Sequence, residues 1–264
     1  MDYKTINTQF WNARAAVHPQ TEFYNQQGFM QGWSSLQPIE LELLGDIKGK
    51  NILHLQCHFG QDSLSLARMG AKVTGIDISD EAIRTANELN ETLNLDARFI
   101  CCDVYDTPLL VQEQFDMVYT SYGVLGWLPD MQQWASVVNR MLKPGGKLVL
   151  VEFHPVVWIF DNDFTKVEYS YFKRDAIIEN EPGTYADKDA DIQLPCISWN
   201  HGLSEVIGAL LREGLQLNSF LEYDYSPYNC FSNTVEIQPG RYRIAPMEDK
   251  IPMTYAVVAT KAII

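Results

Sequence analysis

The sequence is short of positive charge. Its 264 residues hold 20 Lys and Arg against 34 Asp and Glu, which gives a formal net charge of −14. No cluster of basic residues stands out from this acidic background. A protein that binds nucleic acid usually presents a basic face to the phosphates. We therefore expect no nucleic-acid partner.

Long apolar runs are also missing. No stretch approaches the roughly 20 apolar residues that a membrane-spanning helix needs, and the N-terminal MDYKTINTQFW lacks the layout of a signal peptide. These two absences favour a cytoplasmic protein that is not embedded in a membrane.

Motifs for disulfides and metals are absent as well. The five cysteines are odd in number and form no CxxC, and the five histidines form no HExxH. We expect the cysteines to be small buried hydrophobic residues and expect no dedicated metal site.

What the sequence does contain is an alternation of apolar runs and amphipathic stretches between residues 49 and 155. The apolar runs that predict strands are NILHLQC, KVTGID, ARFICCDVYD, FDMVYTSYG and KLVLVEFHP. Short connections between alternating strands and helices are typical of a parallel sheet covered by helices on both faces. Near the end, LSEVIGALLREG predicts another helix, and LQLNSFLEYDY and PMTYAVVATKA predict two last strands.

The alternation divides one 264-residue domain into four parts. Residues 1–48 predict a helical, aromatic cap, and residues 49–155 the core that would bind a cofactor. Residues 156–200 are rich in acids and aromatics, so we expect an ordered insertion, with VEYSYFKR as a strand, that serves as a lid over a substrate. Residues 201–264 supply the closing helix and strands.

Ligands of open parallel sheets bind outside the carboxyl ends of the strands. Here those ends carry the loop 56–61, which suits an anionic group, then Asp77 and Asp103, the stretch 120–123, and finally the stretch 152–154. A carboxylate at Asp77 could accept both hydroxyls of a ribose, and Asp103 could accept an adenine amino group. Each acid also has a plain alternative, a helix cap for Asp77 and a turn for Asp103.

The order NILHLQCHFG, VTGIDIS, FICCDVYD, FDMVYTSYGVLGWLPD and LKPGGKLVLVEF resembles a class I S-adenosylmethionine-dependent methyltransferase. The similarity covers residues 48–154 closely and 203–262 more loosely, and it is strongest to an uncharacterised bacterial branch with the same HLQCHFG loop. It implies an α/β, Rossmann-like, doubly wound sheet of seven strands, mostly parallel, with an antiparallel last strand.

The resemblance also implies S-adenosylmethionine as cofactor and assigns residues to it. The residues along the methionine are Cys57, His58, Phe59 and Gly60, and those at the ribose and adenine are Asp77, Ile78, Asp103 and Val104. The residues near the sulfonium are Thr120 and Tyr122. Trp11 lies in a segment that often closes over the cofactor in this family. Trp11 has a plain alternative, which is helix packing on the sheet.

Three positions depart from the family pattern. His54 stands where an acid is usual, and Gln56 and His58 stand where glycines are usual. The larger side chains at positions 56 and 58 restrict the approach of the cofactor. Without the acid at position 54, the residue that contacts the methionine amino group is not identified.

The implied activity is methyl transfer to a small-molecule acceptor by in-line displacement, which mainly requires alignment. If the acceptor must lose a proton, His154 is the first candidate base, and Tyr122 and His201 are weaker ones. A structural role is the alternative for His154 and a helix-cap role for the region of His201.

Two other functions stay open, a catalytically idle S-adenosylmethionine-binding protein and an NAD-dependent oxidoreductase. The latter predicts GxGxxG after the first strand, where this sequence has CHFGQD. The sequence allows a monomer or a homodimer.

Overall fold

Strands and helices alternate through most of the chain in the computed structural model, which describes residues 2–263. The strands are β1 (Asn51–Leu55), β2 (Lys72–Asp77), β3 (Ala97–Cys101), β4 (Phe115–Ser121), β5 (Leu142–Phe153), β6 (Ile177–Pro182), β7 (Gln193–Ser198), β8 (Leu215–Tyr223), β9 (Thr234–Gln238), β10 (Arg241–Ile244) and β11 (Thr254–Lys261).

The α-helices lie before and between these strands. They are α1 (Tyr3–Val17), α2 (Gln26–Met30), α3 (Pro38–Leu44), α4 (Gln61–Arg68), α5 (Asp80–Leu93), α6 (Thr107–Leu110), α7 (Met131–Met141) and α8 (Leu203–Arg212). Ser79 caps the start of α5, because its hydroxyl accepts the backbone N–H of Ala82 at 3.0 Å.

Seven strands form the central sheet in the order β3-β2-β1-β4-β5-β11-β8. Neighbours from β3 to β5 run parallel, whereas β11 runs antiparallel to both β5 and β8. The predicted seven-stranded, mostly parallel sheet with an antiparallel last strand is therefore confirmed.

Both faces of the sheet are covered, because successive side chains of a strand point to opposite faces. On one face Leu53 packs with Trp134 of α7 and Leu210 of α8, and on the other Ile52 packs with Ile39 of α3. This burial on two sides explains why β1 and β5 have nearly continuous apolar sequences.

The insertion of residues 156–200 is ordered, but its strands are not where the sequence placed them. VEYSYFKR, residues 167–174, forms no strand; the backbone N–H groups of Glu168 and Tyr169 both donate to the carbonyl of Ile159. The strands are β6 and β7 instead, which pair with each other as an antiparallel hairpin. This hairpin packs on α1 rather than on the central sheet.

The segment between β8 and β11 contains a second hairpin, β9–β10, which the sequence analysis missed. Within residues 2–263 no helix is both long and apolar enough to cross a membrane.

Candidate cofactor and acceptor site

A cavity of about 670 Å³ opens at the carboxyl ends of β1 to β4. Its floor is the loops that follow these strands, and its walls come from α1, from the insertion, and from residues 228–232. This volume lies within the range of pockets that enclose a cofactor or a small molecule.

The loop after β1 is held in an uncommon backbone conformation. Gln56 and His58 have φ values of 57° and 50°, in the left-handed region that few side chains favour. Gly60 has φ 80°, and a Cβ atom at this position would lie 2.7 Å from the ring of Phe99. Only glycine fits there, so the single glycine of CHFGQD is required by both strain and space.

Asp77 lies at the end of β2 and contributes to the cavity wall. Its Oδ2 accepts the N–H of His58 at 2.8 Å, and its Oδ1 accepts the N–H of Ser79 at 2.9 Å. Burial raises the pKa of Asp77 to about 6, although these hydrogen bonds pull it down. Each carboxylate oxygen keeps a second lone pair for a ligand hydroxyl.

Asp103 lies at the end of β3, with Val104 and Ile78 beside it in the cavity wall. Its Oδ1 accepts the N–H of Tyr105 at 2.7 Å, and its Oδ2 pairs with the ammonium of Lys4 at 3.2 Å. Asp103 therefore ties α1 to the sheet, in addition to bordering the cavity.

Helix α1 crosses the cavity with one face turned inward. The residues of this face that line it are Tyr3, Asn7, Phe10, Trp11 and Arg14. The ring of Trp11 packs edge-on against His58 and Trp127, with centroid distances of 5.5 Å and 5.2 Å. The ring of Trp11 thus bridges the loops that follow β1 and β4.

Arg14 joins α1 to the hairpin of the insertion. Its guanidinium, which is 2% exposed, donates to Glu181 at 3.2 Å and to the carbonyl of Gly183 at 3.1 Å. Asn7 adds two hydrogen bonds to the backbone of Ile197, at 2.8 Å and 2.9 Å. The cap and the insertion therefore form one continuous wall.

A pair of buried imidazoles stands behind the first loop. Nδ1 of His18 and Nε2 of His58 are 2.9 Å apart, so one of them must carry the shared hydrogen. Burial lowers the pKa of His18 to about 2 and that of His58 to about 3. Both rings are therefore neutral at pH 7.

Carboxylates meet at the ends of β1 and β4, in a group we call the acidic corner (Ser35, Glu40, Asp62, Ser121 and Tyr122). Asp62 accepts the hydroxyls of Ser35 at 2.6 Å and Ser121 at 3.3 Å. The Tyr122 hydroxyl donates to Glu40 at 2.7 Å. Burial, followed by the charge of Asp62, raises the pKa of Glu40 to about 8. Burial also raises the pKa of Asp62.

Glu152, on β5, holds the loop that follows β4. Its carboxylate accepts the N–H groups of Gly123 and Phe153 through Oε1, and those of Val124 and Leu125 through Oε2. The carbonyl of Val124 in turn accepts the side-chain amide of Gln56 at 2.9 Å. Glu152 and Gln56 therefore fix the loops after β4 and β1 relative to each other.

The structure brings most of the predicted site residues to this one cavity. Those in its wall are Trp11, Cys57, His58, Phe59, Gly60, Asp77, Ile78, Asp103, Val104 and Tyr122. Their individual roles toward a cofactor remain predictions.

Within residues 2–263, three of the predicted site residues lie outside the cavity wall. They are Thr120, His154 and His201. Thr120 is fully buried inside β4, and the next residue, Ser121, faces the cavity instead. The assignment of Thr120 to the sulfonium therefore stays a prediction that the cavity lining does not support.

His154 points away from the cavity, toward the far edge of the sheet. Its Nε2 lies 3.0 Å from Glu222 on β8, and its Nδ1 accepts the N–H of Val156 at 3.2 Å. His201 lies at the start of α8, with Nε2 2.7 Å from the carbonyl of Leu128 and Nδ1 3.1 Å from Glu205. The assignment of these two histidines to the acceptor stays a prediction, although the observed contacts of both rings are structural ones.

Several cavity residues were missed by sequence reasoning. They are Tyr3, Arg14, Asp62, Glu181, Tyr185 and Tyr228. The spacing of Tyr3, Phe10 and Arg14 along one helical face was a usable signal. The sequence position of Asp62 indicates only an acid in the first turn of α4. No local pattern marks the other three.

The cavity fits S-adenosylmethionine in shape and charge. An acid at the end of β2 suits the ribose hydroxyls, and the apolar side chains of Ile78 and Val104 suit an adenine ring. The cofactor carries a sulfonium and an ammonium, and the half-buried carboxylates of Asp62 and Asp77 in the cavity wall suit these positive charges.

The sheet order, the antiparallel β11 and this site define the class I S-adenosylmethionine-dependent methyltransferase fold. Residues 52–146 match the family model described as a methyltransferase domain. The fold and this match together indicate similarity to class I methyltransferases over residues 52–146, and the cofactor of that class is S-adenosylmethionine.

Curated relatives share sequence with about half of the chain. The chain is 31% identical to a ubiquinone biosynthesis O-methyltransferase of Coxiella burnetii over 132 residues, which are 48% of this chain and 55% of the relative. It is 34% identical to an uncharacterised methyltransferase of Synechocystis over 132 residues, 49% of this chain and 59% of the relative. The match thus spans a little over half the length of these curated relatives.

Solved structures extend the similarity of fold to nearly the whole chain. An S-adenosylmethionine-dependent methyltransferase from Clostridium acetobutylicum superposes with a TM-score of 0.60 at 14% identity, covering 96% of this chain and 99% of that one. At this level of identity the likeness concerns the fold alone.

Proposed function

We propose that the protein transfers the methyl group of S-adenosylmethionine to a small-molecule acceptor. The observation that carries this proposal is the single cavity that runs from Asp77 and Asp103 to a chamber lined by the insertion. A cofactor laid along the strand ends would leave this chamber for a second molecule.

When bound, S-adenosylmethionine supplies an electrophilic methyl group on its sulfonium sulfur. The protein contributes alignment and exclusion of water. Asp77 would hold the ribose, Gly60 lets the backbone approach the methionine, and Trp11 covers the site from α1.

The chamber beyond Tyr122 favours an apolar acceptor. Its wall includes Phe153, Trp158, Phe160 and Phe231. The insertion supplies two of these rings, which supports its proposed role as the substrate lid. The net charge of −14 supports a small molecule over a nucleic acid.

Where the acceptor must lose a proton, Tyr122 offers a polar route for it out of the chamber. The Tyr122 hydroxyl lies in the cavity wall and donates to Glu40 behind it. We infer that Tyr122 accepts the proton while passing its own to ionised Glu40, so transfer by this route should increase as the pH rises toward the Glu40 pKa of about 8.

Two measurements test the proposal. The first is transfer of label from S-[methyl-³H]adenosylmethionine to a panel of small phenols, catechols, carboxylates and amines. Labelled product supports methyl transfer, whereas tight cofactor binding without product from any acceptor would favour idle binding.

The second measurement tests the ribose assignment by calorimetry. Asp77→Ala should weaken S-adenosylmethionine binding at least tenfold, because a buried pair of hydroxyls loses its acceptor. Asp96→Ala, an exposed acid before β3, is the control and should bind as the wild type does. Equal binding by Asp77→Ala and wild type would refute the assignment.

A further inference from the structure

The strand order fixes where the amino-acid end of the cofactor must lie. If Asp77 on β2 holds the ribose, the adenine extends toward Ile78 and Asp103, on the β3 side. The methionine must then extend the opposite way, past β1 to the end of β4. Asp62 and Ser121 of the acidic corner lie there, in the cavity wall.

The acidic corner has two carboxyl groups and no cation. Glu40 is fully buried, and Asp62 is enclosed by Ser35 and Ser121. Among the described residues neither acid forms a salt bridge with a lysine, an arginine or a histidine. Buried carboxylates without a countercharge are costly, so the corner is suited to receive a cation from a ligand.

A neighbouring unpartnered atom also points to a ligand. His54 is 2% exposed and contributes to the same cavity wall, and its Nδ1 lies 2.8 Å from the hydroxyl of Ser63. Its Nε2 has no hydrogen-bond partner within the part of the chain described by the structure. Burial keeps this ring neutral, so Nε2 can accept a hydrogen bond when Nδ1 carries the proton.

We propose that Asp62, oriented by Ser35 and Ser121, binds the ammonium group of the cofactor's methionine, and that Nε2 of His54 completes this ammonium site. The inference rests on the proposed function, because it assumes that S-adenosylmethionine occupies the cavity. It assigns to the first turn of α4 the carboxylate that position 54 does not supply.

Three nucleosides test the assignment by calorimetry. S-adenosylhomocysteine carries both the ammonium and the carboxylate, decarboxylated S-adenosylmethionine carries only the ammonium, and 5′-methylthioadenosine carries neither. Asp62→Asn should weaken binding of the first two at least tenfold and change binding of the third less than twofold. Asp96→Asn, at an exposed site, is the matched control and should leave all three unchanged.

A second variant keeps the test decisive if Asp62→Asn folds poorly. Ser121→Ala retains the charge of Asp62 but removes one hydrogen bond that orients it, and it should weaken the two ammonium ligands between twofold and tenfold.

Two results would overturn the inference. One is an equal loss for all three nucleosides, which would make Asp62 a structural residue. The other is unchanged binding of all three nucleosides, which would mean that the acidic corner binds an acceptor or no ligand at all. Wild-type protein that binds none of the three would instead refute the proposed function itself, a result distinguishable from both.

Discussion

Replacing Glu152 with glutamine should destabilise the protein strongly, although the change is isosteric. Each carboxylate oxygen of Glu152 accepts two backbone N–H groups, and the side chain is 4% exposed. The amide puts an NH₂ group, which cannot accept, in place of one oxygen. Two buried N–H groups then lose their acceptor whichever way the amide is turned.

An unsatisfied buried donor costs about 1–3 kcal/mol, so the two together should lower the free energy of unfolding by about 2–6 kcal/mol. Urea denaturation of Glu152→Gln and wild type measures this difference. Glu91→Gln, an exposed residue of α5, is the matched control and should differ from wild type by less than about 0.5 kcal/mol.

A loss below about 0.5 kcal/mol for Glu152→Gln would refute this reasoning, because it would mean that the N–H groups find other acceptors. Since Gly123 and Val124 line the cavity, the same variant should also bind the cofactor more weakly.

The remaining predictions concern Glu40 and His154. The folded-state pKa of Glu40 is raised from 4.5 to about 8, so its contribution to stability is complete below about pH 4.5 and is lost as the pH rises to about 8. Denaturation of wild type and Glu40→Gln at pH 5, 6.5 and 8 should show a steeper decline for wild type, and parallel curves would contradict the burial of this acid. His154→Gln should leave cofactor affinity and methyl transfer within twofold of wild type, because its ring contacts Glu222 and Val156 outside the cavity; a tenfold loss of turnover at unchanged affinity would restore His154 as a base.

The central sheet could be predicted from sequence because parallel strands buried on both faces leave a strong local pattern. NILHL and KVTGID are short apolar runs bounded by turns, and both form strands at the expected residues. Asp77 was found for the same reason, since it is the last residue of β2 and the carboxyl ends of parallel strands meet at one edge.

The insertion was predicted less well because its conformation depends on distant partners. The alternation in VEYSYFKR is typical of a strand, yet this segment has no neighbouring strand to pair with, and β6 and β7 pair with each other instead. Arg14 and Glu181 are 167 positions apart, so nothing local indicates that they meet.

His154 shows how a correct strand end can still mislead about a side chain. It directly follows β5 as expected, but β8 lies at the sheet edge two strands from β5 and offers Glu222 as a partner. Asp62 shows the reverse. Its sequence position marks only a helix start, and its place between β1 and β4 emerges from packing against Ser35 and Ser121.

The central claim is that the cavity binds S-adenosylmethionine, and calorimetric titration of the wild-type protein tests it most directly. S-adenosylmethionine and NAD should be titrated separately under identical conditions. We expect saturable one-to-one binding of S-adenosylmethionine and no heat of binding from NAD. Saturable binding of NAD without binding of S-adenosylmethionine would contradict it.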